Sequence, residues 1–203
     1  SIDGIDVYSN SSVTRMGTGS FTDGSDGFMM MAYYEIEETT DVAGLEIMLD
    51  SYLYQSVSSA PGGEIIISLR DTAVVFAETF EPSATLVESD FYMLTQEDID
   101  DGSLEIAFDS PYSLSPGAYY ACVEMYSNNN DADIWILDDE TVPQPASASM
   151  IFIPGDQVYT NGTAVGIRMK LGNGQGFNIE ETLLNGVSVY PNPSTGILNI
   201  NLE

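Results

Sequence analysis

Three stretches of this chain gather carboxylates on what read as loops. They are Asp23-Gly24-Ser25-Asp26-Gly27, Asp98-Ile99-Asp100-Asp101-Gly102, and Asn130-Asp131-Ala132-Asp133 with Asp138-Asp139-Glu140 close behind. Hard cations take about six to eight oxygens from carboxylates and carbonyls, usually on loops. Asp23, Asp26, Asp98, Asp100, Asp101, Asp131 and Asp133 are therefore the residues that would ligate calcium, the cofactor this chemistry suits if there is one at all. The competing reading is local: aspartate and glycine form turns without any metal, and acids are abundant throughout this chain.

A second constellation is aromatic. Tyr120, Tyr126 and Trp135 fall on strand-like segments with carboxylates nearby, an arrangement on which sugar rings of a carbohydrate or surface polymer stack. Against it stands a packing role, in which the rings fill the rim of a sheet and their hydroxyls reach water.

Catalysis is sharply bounded. The chain has no histidine, so a Ser-His-Asp triad, a Cys-His dyad and histidine-ligated zinc cannot be assembled within it. A glycosidase would need two carboxyls about 5–5.5 Å or about 6.5–9.5 Å apart. Thirty-two acidic residues guarantee many pairs in the sequence, so none is informative. Cys122 is the single cysteine, which excludes an internal disulfide and suits a small core residue better than a nucleophile. The expectation is a non-catalytic chain.

The formal charge of −28, from thirty-two acids against four Lys and Arg, repels phosphate backbones and anionic lipid. Nucleic acid is thus an improbable partner. The same charge destabilises the chain by self-repulsion, which salt relieves; adaptation to seawater or brine would explain it. No apolar run approaches the ~20 residues of a membrane span.

The elements that must position these residues alternate with period two, the strand signature. Phe28, Met30, Ala32, Tyr34 and Ile36 share one face, and Met29, Met31, Tyr33, Glu35 and Glu37 the other. Residues 45–49, 65–69, 104–108, 119–125 and 165–171 repeat the pattern, with further strands near 134–137 and 150–153. Residues 73–93 read as two weaker strands broken at Pro82. Thr95-Gln96-Glu97-Asp98 followed by Gly102 reads as a capped helical turn. About ten short strands without a long helix predict an all-β fold: a two-sheet antiparallel β-sandwich, jelly-roll-like, over residues 1–172. Residues 173–185, opening with Asn173-Gly174-Gln175-Gly176 directly after Gly172, form a linker, and a short C-terminal β-hairpin fragment follows.

That hairpin lies in Gly186–Leu202, GVSVYPNPSTGILNINL, where two short strands meet at a Pro/Ser/Thr/Gly turn. Through Val189, Tyr190, Pro191, Asn192, Pro193 and Gly196 this stretch closely resembles the opening of the C-terminal sorting domain of the type IX secretion system. The phrase LSPGAYYACVEMYS resembles the penultimate strand of jelly-roll modules found beside such domains. The resemblance implies a secreted or cell-surface location. It implies recognition of the tail by outer-membrane secretion machinery, with residues 186–203 as the truncated start of a sorting domain. The main domain would then be an accessory module of a larger protein, serving as spacer, adhesion or substrate-binding unit. The runner-up is a calcium-stabilised carbohydrate-binding module attached to an upstream hydrolase.

Overall fold

The computed structural model describes residues 13–20, 26–50, 59–77, 80–81, 84–139, 144–172, 187–190 and 199–202. In chain order the strands are β1 (Val13–Gly17), β2 (Phe28–Ile36), β3 (Thr40–Met48), β4 (Glu64–Asp71), β5 (Val87–Glu88), β6 (Tyr92–Met93), β7 (Ser103–Leu114) and β8 (Gly117–Tyr126). They continue with β9 (Trp135–Asp139), β10 (Ser149–Phe152), β11 (Val158–Thr160), β12 (Ala164–Val165) and β13 (Ile167–Leu171). The larger sheet has the order β11-β10-β2-β8-β4-β5, with β6 also on β4. Facing it are two three-stranded sets, β13-β3-β7 and β1-β9-β12. From β2 to β4 and from β7 to β10, successive long strands alternate between the two layers, the pattern of a jelly-roll-like sandwich. All pairings are antiparallel.

The two smaller sets meet at Gly166, the one residue between β12 and β13. Its N–H donates to Leu137 O at 2.8 Å, and its carbonyl accepts from Met48 N at 2.7 Å. A Cβ there would stand 2.7 Å from the Met48 Cβ, so only glycine lets the strand pass from one set to the other. Gly44 plays a comparable part beside a bulge in β3, where a Cβ would lie 2.1 Å from Ile106 O. Lys170, in register with Gly44, pairs with Glu105, and Arg168 donates to Glu46 at 3.1 Å. These cations lie on the face of β13 turned away from the core, as alternation requires.

Between the layers lie Phe28, Met30, Leu45, Ile47, Ile65, Ile67, Ile106, Val123 and Ile136, all buried. The apolar faces predicted from the alternation are the faces found. Leu171 departs from expectation: the register shifts at Lys170/Leu171 and leaves it 45% exposed. The helical turn is present as α2 (Gln96–Asp101), with Thr95 and Asp98 forming a capping box and Gly102 left-handed at φ 72°.

The region read as two strands over 73–93 is different. It opens with a single helical turn, α1 (Thr72–Val75). The Asp71 carboxylate accepts from Val74 N at 2.8 Å and turns the chain out of β4. This N-cap overrides the strand preference of the two valines. Strand pairing resumes only in the two-residue β5 and β6.

The tail forms a two-stranded sheet of β14 (Val187–Tyr190) and β15 (Asn199–Leu202), with Val187 opposite Leu202 and Tyr190 opposite Asn199. The linker at 173–185 and the turn carrying Pro191, Asn192, Pro193 and Gly196 lie outside the described residues.

Candidate functional site

Period-two alternation gives the larger sheet a second apolar side. Met29 and Met31 of β2, Tyr120 and Cys122 of β8, and Met150 and Phe152 of β10 all point away from the sandwich interior, yet all are buried. An antiparallel sheet with one side on the core commonly turns the other to water. The chain leaving β4 covers it instead: α1 contributes Val75, and Phe80 follows.

One arginine fastens that cover. Arg70, only 1% exposed, sits on the same side of β4. Its Nη1 donates to Glu81 O at 3.2 Å and Ala84 O at 3.3 Å, and its Nε to Ser68 Oγ at 3.3 Å. Its guanidinium lies over the Phe80 ring. Phe80 in turn packs on Phe152, centroids 4.7 Å apart, while Phe76 meets Tyr120 edge-on at 5.8 Å.

Between this cover and strands β10 and β11 opens a cleft of about 390 Å³. Its walls are Val75, Phe76, Phe80 and Phe152, with Asp156 and Gln157 from the β10–β11 turn among the lining. Phe76 is 53% exposed, so much of its ring is open to solvent. Asp156 accepts from the Tyr159 hydroxyl through Oδ2 at 2.7 Å. Among the described residues it is the only ionisable side chain in the lining. A concave site with aromatic walls and a few polar groups is the usual form of a small-ligand pocket.

The residues singled out from the sequence lie elsewhere. Tyr120 is fully buried in the second core and donates to Ser147 O at 2.5 Å; burial pushes its phenol up to about 12. It therefore presents no ring face to a ligand, which corrects its assignment to a stacking surface. Tyr126 donates to Glu124 at 2.5 Å and meets the exposed Phe91 edge-on. Loss of hydration raises the pKa of both Tyr126 and Glu124, and Glu124 is partly compensated by the Tyr126 hydroxyl and by Arg70. Trp135 carries the Arg15 guanidinium 4.8 Å over its ring, and a Cβ on Gly19 would lie 2.4 Å from its Cζ2, so the indole is largely occupied within the fold. Arg15 also pairs with Asp50, a buried carboxyl whose pKa is raised by loss of hydration against the opposing pull of Arg15. Cys122 is buried with its thiol pushed up to about 12 by burial, which makes it inert as a nucleophile.

Of the three acidic loops the first and third meet, where Asp26 reaches the backbone of Ser127 and Asn129, but among the described residues their carboxylates do not gather into one set. Asp98 is the capping-box residue of α2 and accepts from the Tyr92 hydroxyl at 3.0 Å. Asp100 accepts from Gln96 at 2.8 Å, and Asp101 and Asp131 are exposed. Asp133 accepts from Thr18 Oγ1 and Asn130 Nδ2, both at 3.0 Å. Asp26 accepts from the backbone of Ser127 and Asn129. Asp23 lies outside the described residues. Among the described residues no three acidic or cysteine side chains gather where they could hold a metal ion. Of these aspartates, Asp26 braces a turn and Asp98 a helix cap, the local roles that aspartate commonly fills.

Sequence reasoning missed Phe76, Phe80, Asp156 and Gln157. The available signal was Asp71-Thr72, a helix-start pair placed directly after a strand.

Fold and site together define a β-sandwich module with an aromatic-walled cleft on the outer side of its larger sheet. No protein-family model matches the chain. No curated protein matches it either. Its fold is similar to a solved structure of the cysteine protease and lectin-like domains of a surface-layer-associated protein of Clostridium difficile. The TM-score is 0.48 at 10% identity, over 80% of this chain and 36% of that one. At that level of likeness no ligand or role passes from that protein to this one.

Proposed function

We propose that this chain is a non-catalytic accessory module of a secreted or cell-surface protein. In this reading the sandwich binds or adheres through its outer cleft, and the tail is an export and sorting signal read by outer-membrane secretion machinery. The observation that carries the binding role is the lining of the cleft. Among the described residues it includes three phenylalanines and a single carboxylate, Asp156. Hydrolysis of a glycosidic bond uses two carboxyls in concert, so this lining suits holding a ligand rather than cleaving it. The pairing of β14 with β15 supports the tail role, since the two strands of the sorting-like stretch pair antiparallel with each other.

The test is made in the cell that produces the protein. Full-length protein carrying P191A, N192A and P193A together is compared with the unaltered form by fractionation. Accumulation of the altered form in the periplasm, with the unaltered form outside, is the expected result. An unchanged distribution between compartments would remove the sorting role.

A further inference from the structure

The cleft has a chemistry that narrows its ligand. Among the described residues its lining has one carboxyl group, Asp156, whose Oδ1 takes no donor there. Phe76, Phe80 and Phe152 are among its walls. It opens on a chain with net charge −28. An anionic ligand meets repulsion there, and a neutral one gains nothing from the field. A cation gains from the field, from Asp156 and from the ring faces together.

Among cations the planar guanidinium fits best. It stacks on aromatic faces, is weakly hydrated, and forks onto a carboxylate. The chain already uses this packing twice within itself: Arg15 lies 4.8 Å over Trp135 and Arg70 5.4 Å over Phe80. Arg70 comes to Phe80 from the sheet beneath, whereas Phe76 is the ring that the cleft leaves open to solvent.

We propose that the cleft receives an arginine side chain from a basic partner polypeptide, with the guanidinium stacked on Phe76 and hydrogen-bonded to Asp156. This rests on reading the sandwich as a binding module and names the class of partner. The carboxylate supplies direction, the rings supply contact area, and the acidic surface speeds encounter.

The probe is a fluorescein-labelled Gly-Gly-Arg-Gly-Gly peptide, titrated with the full chain by anisotropy. Peptides with lysine or with citrulline, the neutral isostere, replace the arginine in parallel. Arginine should bind at least tenfold tighter than citrulline and measurably tighter than lysine. F76A and D156N should each weaken arginine binding at least fivefold, and F76L, which keeps apolar volume without the ring, should weaken it too. D109N removes an equal charge from exposed β7 and should leave binding unchanged. Equal binding of citrulline, an equal loss with D109N, or no binding of the arginine peptide at millimolar protein would each overturn the proposal. Export in the P191A, N192A, P193A experiment is read independently, so absent arginine binding with normal tail-dependent export defeats only this inference.

Discussion

The guanidinium carbon of Arg70 stands 5.4 Å from the centroid of the Phe80 ring, with the arginine almost wholly buried. This contact joins a strand of the larger sheet to the segment lying across it. It also explains why an acidic chain keeps one cation in its interior: the arginine answers the Glu81 and Ala84 carbonyls and the nearby Glu124 carboxyl at once.

Replacing that arginine should therefore do more than remove one contact. Arg70→Met keeps the apolar stem and deletes the donors, leaving the two carbonyls without them. The expected loss is about 3 kcal/mol, within the range for breaking a buried charged network. Urea unfolding measures it. Near-UV circular dichroism should also change, because Phe80 and Tyr120 lose their fixed surroundings. A loss below about 1 kcal/mol would show that the cover holds without Arg70.

Glu124 predicts a pH dependence. Its folded-state pKa is raised, chiefly by loss of hydration. A carboxyl that binds its proton more tightly when folded stabilises the fold most below its unfolded pKa of about 4.3. That stability falls away as pH rises through the folded value. Glu124→Gln removes the change and should raise stability at pH 7 by less than about 1 kcal/mol, a modest figure because solvent screens a half-buried group. The slope of stability against pH, from about 4.3 upward, should flatten. A steeper slope in the variant would contradict this account.

Asp26 braces the turn after β8. Its Oδ1 accepts from Ser127 N at 2.6 Å and its Oδ2 from Asn129 N at 3.2 Å. Asn128, Asn129 and Asn130 all have left-handed backbones, with φ of 55°, 58° and 67°. Asparagine tolerates that region far better than a branched residue does. Asp26→Ala should cost about 2 kcal/mol. Asn129→Val should be about 1–2 kcal/mol less stable than Asn129→Gly. Thermal melts of the three variants decide the matter, and equal stability of the valine and glycine forms would rule out strain at Asn129.

The net charge of −28 predicts a melting temperature that climbs with NaCl. The screening length falls from about 10 Å at 0.1 M to about 3 Å at 1 M salt. Melts across that range, repeated with calcium chloride and with EDTA at fixed ionic strength, separate screening from site binding. A flat response to NaCl would argue against self-repulsion as a main destabilising term.

The period-two pattern determined much of this protein on its own. Phe28, Met30, Ile65, Ile67, Val123 and their neighbours declare a buried face, because a strand must put alternate residues on opposite sides. Thr95, Asp98 and Gly102 declare a capped turn, because those bonds span only a few residues. The absence of histidine removed whole classes of chemistry before any coordinate was known. The second face was another matter. Met29, Met31, Tyr120 and Cys122 alternate as an outer face would, and nothing within β2 or β8 tells whether water or protein lies over them. That depended on a turn at Asp71 and on Arg70 reaching Glu81 and Ala84, contacts made only once the sheet exists. The cleft has the same origin: Phe76 and Phe80 come from one segment, Phe152, Asp156 and Gln157 from another some seventy residues on. The acidic loops show the converse. Asp26, Asp98 and Asp133 looked alike in the sequence, but each ended on its own set of donors: backbone N–H groups for Asp26 and Asp98, and the Thr18 hydroxyl and Asn130 amide for Asp133. Alternation fixes which way a side chain points, whereas only the tertiary structure decides what it meets.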